Sequence, residues 1–244
     1  MKFNLANCAL MGVALFCGSQ QVFADPMGAF DGLDPAKVAE VKAALKTTGH
    51  YAMKMPVAGS GLPEFIVFEK VAATPRQALE VFADADSHST YFKNEGIKQS
   101  HVESKVPGAG SASVTIDYHF SYSLASDTYT SLTVISKGAK PGSYQDVWEL
   151  TKSTMNVVSG PVRSHGSAVF EPLDAVDGGG TVIAYRNLVV PTPAVSWIVS
   201  FFGEDDAEKL ATATADALVT EIKNQSAGTQ EARKEALDQL IGAE

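Results

Sequence analysis

Residues 114 to 124 alternate without a break: Val114, Ile116, Tyr118, Phe120, Tyr122 and Leu124 fall on one side, and Thr115, Asp117, His119, Ser121 and Ser123 on the other. Successive side chains of a strand point to opposite faces, so this stretch demands a half-buried antiparallel strand with one apolar face. Such a strand needs neighbours. Further β-rich runs supply them at 128–137, 144–152, 154–159, 163–172 and 181–190, separated by turn clusters such as Lys140-Pro141-Gly142 and Asp177-Gly178-Gly179-Gly180. About six or seven strands in one meandering sheet are expected, counting an earlier one at Glu64–Ala72.

Helical signals flank this β-rich centre. Asp34 and Pro35 open a short amphipathic helix that carries Val38, Val41 and Leu45 on one face. Thr74 and Pro75 open a second, carried by Ala78, Leu79, Val81 and Phe82. After Val190 the period returns to helix through Val195, Ile198, Val199 and Phe202, then Leu210, Ala211, Ala217, Leu218 and Ile222, with a weakly apolar, frayed piece at 230–241. The expected fold class is therefore α+β: one domain, with a curved antiparallel sheet that buries one face against a long C-terminal helix.

The first 24 residues read as a secretory signal peptide: Lys2, an apolar run from Cys8 to Gly18 too short to span a bilayer, and Val22-Phe23-Ala24 as the cleavage signal. Cleavage is expected after Ala24. Phe16 stands where a lipoprotein signal needs a small residue, so no stable membrane anchor is expected at Cys17. Both cysteines, Cys8 and Cys17, leave with the peptide, which removes disulfides, thiolate nucleophiles and thiolate metal ligands. Loss of Lys2 leaves 18 basic against 28 acidic residues, a net charge of −10 that argues against nucleic acid or an anionic membrane surface as partner. The expected product is periplasmic or secreted. Its expected divisions are a signal peptide at 1–24, a leader with a short helix at 25–63 whose first nine residues are flexible, a main domain at 64–225 and a helical tail at 226–244.

Several catalytic classes have no sequence support. The five histidines form no HExxH pair, no Gly-x-Ser-x-Gly elbow or phosphate loop occurs, and Gly178-Gly179-Gly180 precedes a strand and reads as a hairpin turn. His119 and Asp117 share a strand face, but it is the polar one. No metal, cofactor or catalytic residue is assigned.

The segment EFIVFEKVAA from Glu64, followed by TPRQALEVFAD from Thr74, resembles the first strand, turn and first helix of the START/polyketide-cyclase-like (SRPBCC) superfamily. The resemblance continues through Tyr91-Phe92 and the GIKQS segment at Gly96 to the Pro191-x-Pro193 turn before the long helix. It implies a helix-grip fold and a cavity between sheet and helix in which members mostly bind hydrophobic ligands such as lipids, sterols or polyketides. The expected function is that of a binding protein for a hydrophobic small molecule. Alternatives are a cyclase or dehydratase of the same fold, and a protein-interaction module with a collapsed cavity and a docking patch at Trp197–Phe202.

The expected cavity residues are Tyr118, Phe120, Tyr122, Trp148, Arg186, Trp197 and Phe201. The tyrosines offer hydroxyls at the ends of apolar rings, suited to an amphipathic ligand. Arg186 alternates with Val182, Ala184, Leu188 and Val190, and an arginine among buried residues needs a carboxylate or the anionic head of a ligand. The bland readings are core aromatics and an ion pair of Arg186 with Asp117, Asp146 or Glu149.

Overall fold

A computed structural model describes residues 25–58, 63–122, 125–153, 163–190 and 196–243; the signal peptide expected at 1–24 and the strand expected at 154–159 lie outside them. The described elements are α1 (Pro35–Thr47), β1 (His50–Met55), β2 (Glu64–Val71), α2 (Pro75–Phe82), a 3₁₀ turn (Ala85–Ser87), α3 (His88–Tyr91), β3 (Ile97–Val106), β4 (Ser111–Tyr122), β5 (Ala125–Lys137), β6 (Tyr144–Ser153), β7 (Arg163–Pro172), a second 3₁₀ turn (Ala175–Asp177), β8 (Thr181–Val190), α4 (Ser196–Asn224) and α5 (Ala227–Ile241). The eight strands form one antiparallel sheet in the order β1-β2-β8-β7-β6-β5-β4-β3. The hairpins from β3 to β8 run back across the sheet until β8 meets β2, and α2 and α3 carry the chain between the two ends.

Local chemistry starts the helices where the sequence indicates. The Asp34 carboxylate accepts from Lys37 N–H at 2.8 Å, and Thr74 and Gln77 form a reciprocal capping box ahead of Pro75. The inner face of the sheet, with Phe65, Val67, Val114, Ile116, Ile135, Phe170 and Ile183, packs against Leu79 and Phe82 of α2, Ala211, Ala215 and Leu218 of α4, and Leu237 of α5. The helical tail is not frayed. Leu237, Leu240 and Ile241 are buried, and the Arg233 guanidinium bonds Asp84 at 2.8 Å and Glu221 at 2.9 Å, tying α5 to the α2–α3 turn and to α4.

The outer face is also covered, which the sequence reading did not anticipate. Ile66, Phe68, Val169, Val182 and Ala184 point away from α4 and pack under Ala29, Val41 and Leu45. Residues 25–33 are consequently packed and not a flexible leader: Ala29 is fully buried, its N–H donates to Glu171 Oε2 at 3.0 Å, and Met27 N–H donates to Gln145 Oε1 at 2.6 Å. The segment after α1, for which the expected leader of 25–63 names no strand, contains β1, an edge strand pairing with β2 from His50↔Glu69 to Met55↔Glu64.

Candidate functional site

The inner faces of β4, β5, β6 and β8 do not close completely onto the helices. A cavity of about 310 Å³ remains between the sheet, α2, α3 and the Leu210–Thr214 turn of α4. Its walls are mostly apolar and aromatic: Phe82, Phe92, Ile116, Tyr118, Phe120, Tyr129, Trp148 and Tyr185. Size and lining are those of a small-molecule site.

Two glycines set the positions of these rings. At Gly166 on β7 a Cβ would lie 2.4 Å from the Trp148 indole and 2.3 Å from the Arg186 carbonyl, so only glycine lets Trp148 lie across its cross-strand neighbour. Trp148 then rests at 5.4 Å, centroid to centroid, from Tyr185 and at 5.8 Å from Phe82. At Gly96 the backbone has φ +102°, and a Cβ would meet the Phe120 ring at 2.5 Å.

The polar groups in the wall are few. His88 is buried, and its Nε2 lies 2.8 Å from the Phe82 carbonyl, which only accepts, so Nε2 carries the proton. Burial lowers its pKa to about 4, leaving a neutral ring whose Nδ1 accepts from the Tyr118 hydroxyl at 2.8 Å. The Tyr118 O–H is thus turned onto His88 and offers the cavity only its oxygen lone pair. Burial holds the Tyr118 and Tyr185 phenols well above their ordinary range, so both are neutral.

Asp146 is the unusual member. It shares the inner face of β6 with Tyr144 and Trp148, is 2 % exposed, and receives a hydrogen bond from Thr133. Its Oδ1 has no partner. Burial pushes its carboxyl up to about 8, against the opposing pull of Thr133. A second carboxylate oxygen in the wall, Glu95 Oε2, is also buried without a partner.

The expected cavity residues divide accordingly. Tyr118, Phe120 and Trp148 stand in the wall. The side chains of Tyr122, Trp197, Phe201 and Phe202 lie outside the described part, although Tyr122 ends β4 and the other three fall in α4.

Arg186 does not face the cavity. The alternation with Val182 and Ala184 is correct, but those residues form the outer face, so Arg186 points to the leader and not to α4. Its guanidinium donates to the Asp31 carbonyl at 2.5 Å and the Ala29 carbonyl at 3.5 Å, with Glu64 at 3.9 Å. That anchors the leader across β8. Asp117 and His119 lie on the polar face of β4, where a Thr130 hydroxyl donates to Asp117 at 2.6 Å. Sequence reading missed Asp146, His88 and Glu95 as cavity groups; for Asp146 the signal was present, since it alternates with Tyr144, Trp148 and Leu150.

Away from the cavity, His50, Glu69 and Asp216 bring their ligand atoms within 4.8 Å of one another, the one such group among the described residues. His50 Nδ1 bonds Glu69 directly across the β1–β2 pair, and Asp216 reaches the same carboxyl from α4. The cluster fastens the edge strand to the helix, assisted by Lys54 and Glu208 at 2.8 Å.

No family model and no curated protein matches the chain. Solved structures do. A STAR-related lipid transfer protein from Xanthomonas axonopodis superposes with a TM-score of 0.53 at 17 % identity, over 73 % of this chain and 96 % of that one. A protein from Thermus thermophilus superposes with a TM-score of 0.51 at 12 % identity, over 66 % of this chain and 97 % of that one. The chain has the START-like helix-grip fold.

Proposed function

We propose that residues 25–244, exported and freed of the signal peptide, carry or sequester a hydrophobic small molecule in the cavity between sheet and α4. The observation that carries the proposal is the cavity itself, about 310 Å³ walled by aromatic and aliphatic side chains in the interior of a domain whose two sheet faces are otherwise packed. The fold shared with a lipid transfer protein from Xanthomonas axonopodis supports the same reading as an analogy. Native mass spectrometry of residues 25–244, followed by denaturing extraction, tests it. A discrete apolar adduct is the expected result. A clean apo mass with no thermal shift across a panel of apolar ligands would refute it, since a ligand at about 100 times its Kd adds about 2.7 kcal/mol.

A second reading, catalysis of the cyclase or dehydratase type, is favoured by the buried Asp146 carboxyl and the His88–Tyr118 pair in the same wall. A carboxyl protonated near neutrality is suited to general-acid chemistry. Conversion, and not mere retention, of the extracted molecule by the purified protein would establish it. The collapsed-cavity alternative predicts a filled interior, which is not what the described residues show.

A further inference from the structure

Three buried side-chain polar atoms lack a partner among the described residues, and two of them, Asp146 Oδ1 and Glu95 Oε2, are carboxylate oxygens in the cavity wall. Buried polar groups are nearly always satisfied, so two orphaned carboxyl oxygens in one mostly apolar cavity mark where a polar group of the ligand belongs, and in their ionised form both accept from a donor. The described wall contains no lysine or arginine to supply it. His88 and Tyr118 cannot, because the N–H and O–H they own are already committed to Phe82 and to each other.

From these observations, and resting on the hydrophobic-ligand reading above, we propose that the cavity selects a lipophilic amine, its ammonium group seated against Asp146 among the faces of Trp148, Tyr185 and Phe82. An ammonium has three donors and no acceptor, and both the carboxylate and the aromatic faces attract a desolvated cation. An anionic head, such as a fatty acid carboxylate, meets the opposite environment: two acids and no cation. The described wall thus offers the commonest apolar anions no cation to pair with, and it repels them once Asp146 ionises.

The pH dependence follows from the groups that face Asp146. Thr133 on β5 is its hydrogen-bond donor; His88 on α3 and the phenols of Tyr118 on β4 and Tyr185 on β8 stay neutral from pH 6 to 8, and Glu95 is the other acid in the wall. In the empty cavity Asp146 is protonated below about 8. Seating an ammonium releases that proton, so affinity rises by up to about tenfold per pH unit between 6 and 8.

Titration calorimetry of residues 25–244 with octylamine, octanol and octanoate tests the proposal, on the native protein and on Asp146→Asn and Glu95→Gln. The expected result is tightest binding of the amine, strengthening with pH, and reduced about 10- to 100-fold by Asp146→Asn, the range of one charge-assisted hydrogen bond. Octanol binding should survive in Asp146→Asn, which shows the cavity intact, and Glu95→Gln should weaken the amine less. Octanol or octanoate binding as tightly as octylamine, or amine affinity independent of pH and of Asp146, would overturn the amine proposal and leave the hydrophobic-ligand reading standing. Failure of all three probes would overturn both.

Discussion

Replacing Asp146 by asparagine isolates the cost of a buried carboxyl without changing the shape of the cavity. In the unfolded chain the group ionises near its ordinary value of 3.8; in the folded protein burial raises this to about 8. A carboxyl whose pKa is raised by folding favours the folded state while it stays protonated, and that contribution is lost as pH rises. Stability is therefore greatest below the unfolded value and falls between pH 4 and 8 by about 1.4 kcal/mol per pH unit. From pH 5 to 7 the loss is about 2.7 kcal/mol, and at roughly 2–4 °C per kcal/mol for a domain of this size it lowers Tm by about 5–11 °C. Glu80 (raised to about 6 by burial) and His88 (lowered to about 4 by burial) titrate in both proteins and cancel in the difference. Calorimetric melting of ligand-free protein from pH 4.5 to 8 measures it. The Asp146→Asn advantage should be small at the acid end and grow with pH; a gap constant from pH 5 to 7 would show that Asp146 is not held protonated, and would refute the reasoning.

Other substitutions read separate parts of the structure. Gly166→Ala forces its new methyl into the Trp148 indole; overpacking costs about 1–3 kcal/mol, and ligand affinity and Trp148 fluorescence should both shift. Arg186→Met removes the donors to Ala29 and Asp31, so chemical denaturation should show a loss of about 1–3 kcal/mol with ligand affinity unchanged; a selective loss of affinity would return Arg186 to the cavity. Arg233→Leu breaks the ties to Asp84 and Glu221 and should cost about 1–3 kcal/mol, with faster amide exchange in α5.

The legible parts of the fold were those whose chemistry is local. The 2.0 period of residues 114–122 and the caps at Asp34 and Thr74 appear where the sequence puts them, because each depends on residues a few positions apart. β1 escaped notice because both its faces are half-buried. Tyr51 and Met53 pack on the outer cluster while His50 and Lys54 meet acids beside α4, so no polar–apolar contrast marks the strand. His88 sits in a helix of four residues, too short for any periodicity, and its role depends on a contact with Tyr118 thirty residues away.

The reversal of Arg186 and the discovery of Asp146 have one cause. A sheet assumed to bury a single face makes every apolar alternation point to the same cavity; a sheet buried on both faces splits them. On β8, Val182, Ala184 and Arg186 go outward, leaving Ile183 and Tyr185 inward. On β6 the adjacent pair Gln145 and Asp146 separates in the same way. Gln145 is held outside by the Met27 N–H and donates to the Asp25 carbonyl at 3.1 Å, while Asp146 enters the cavity. The leader therefore backs the strand that carries the proposed ligand partner. Deleting residues 25–33 would strip Ala29, Met27 and Phe30 from the cover that Val41 and Leu45 share over Ile66, Phe68 and Val169, would leave the Arg186 guanidinium without its carbonyl partners, and should destabilise the domain by several kcal/mol on the order expected for losing a packed segment. If the truncated chain instead melts at the native temperature, the outer layer contributes nothing to holding β6 and β8, and the assignment of Arg186 to that layer loses its structural reason.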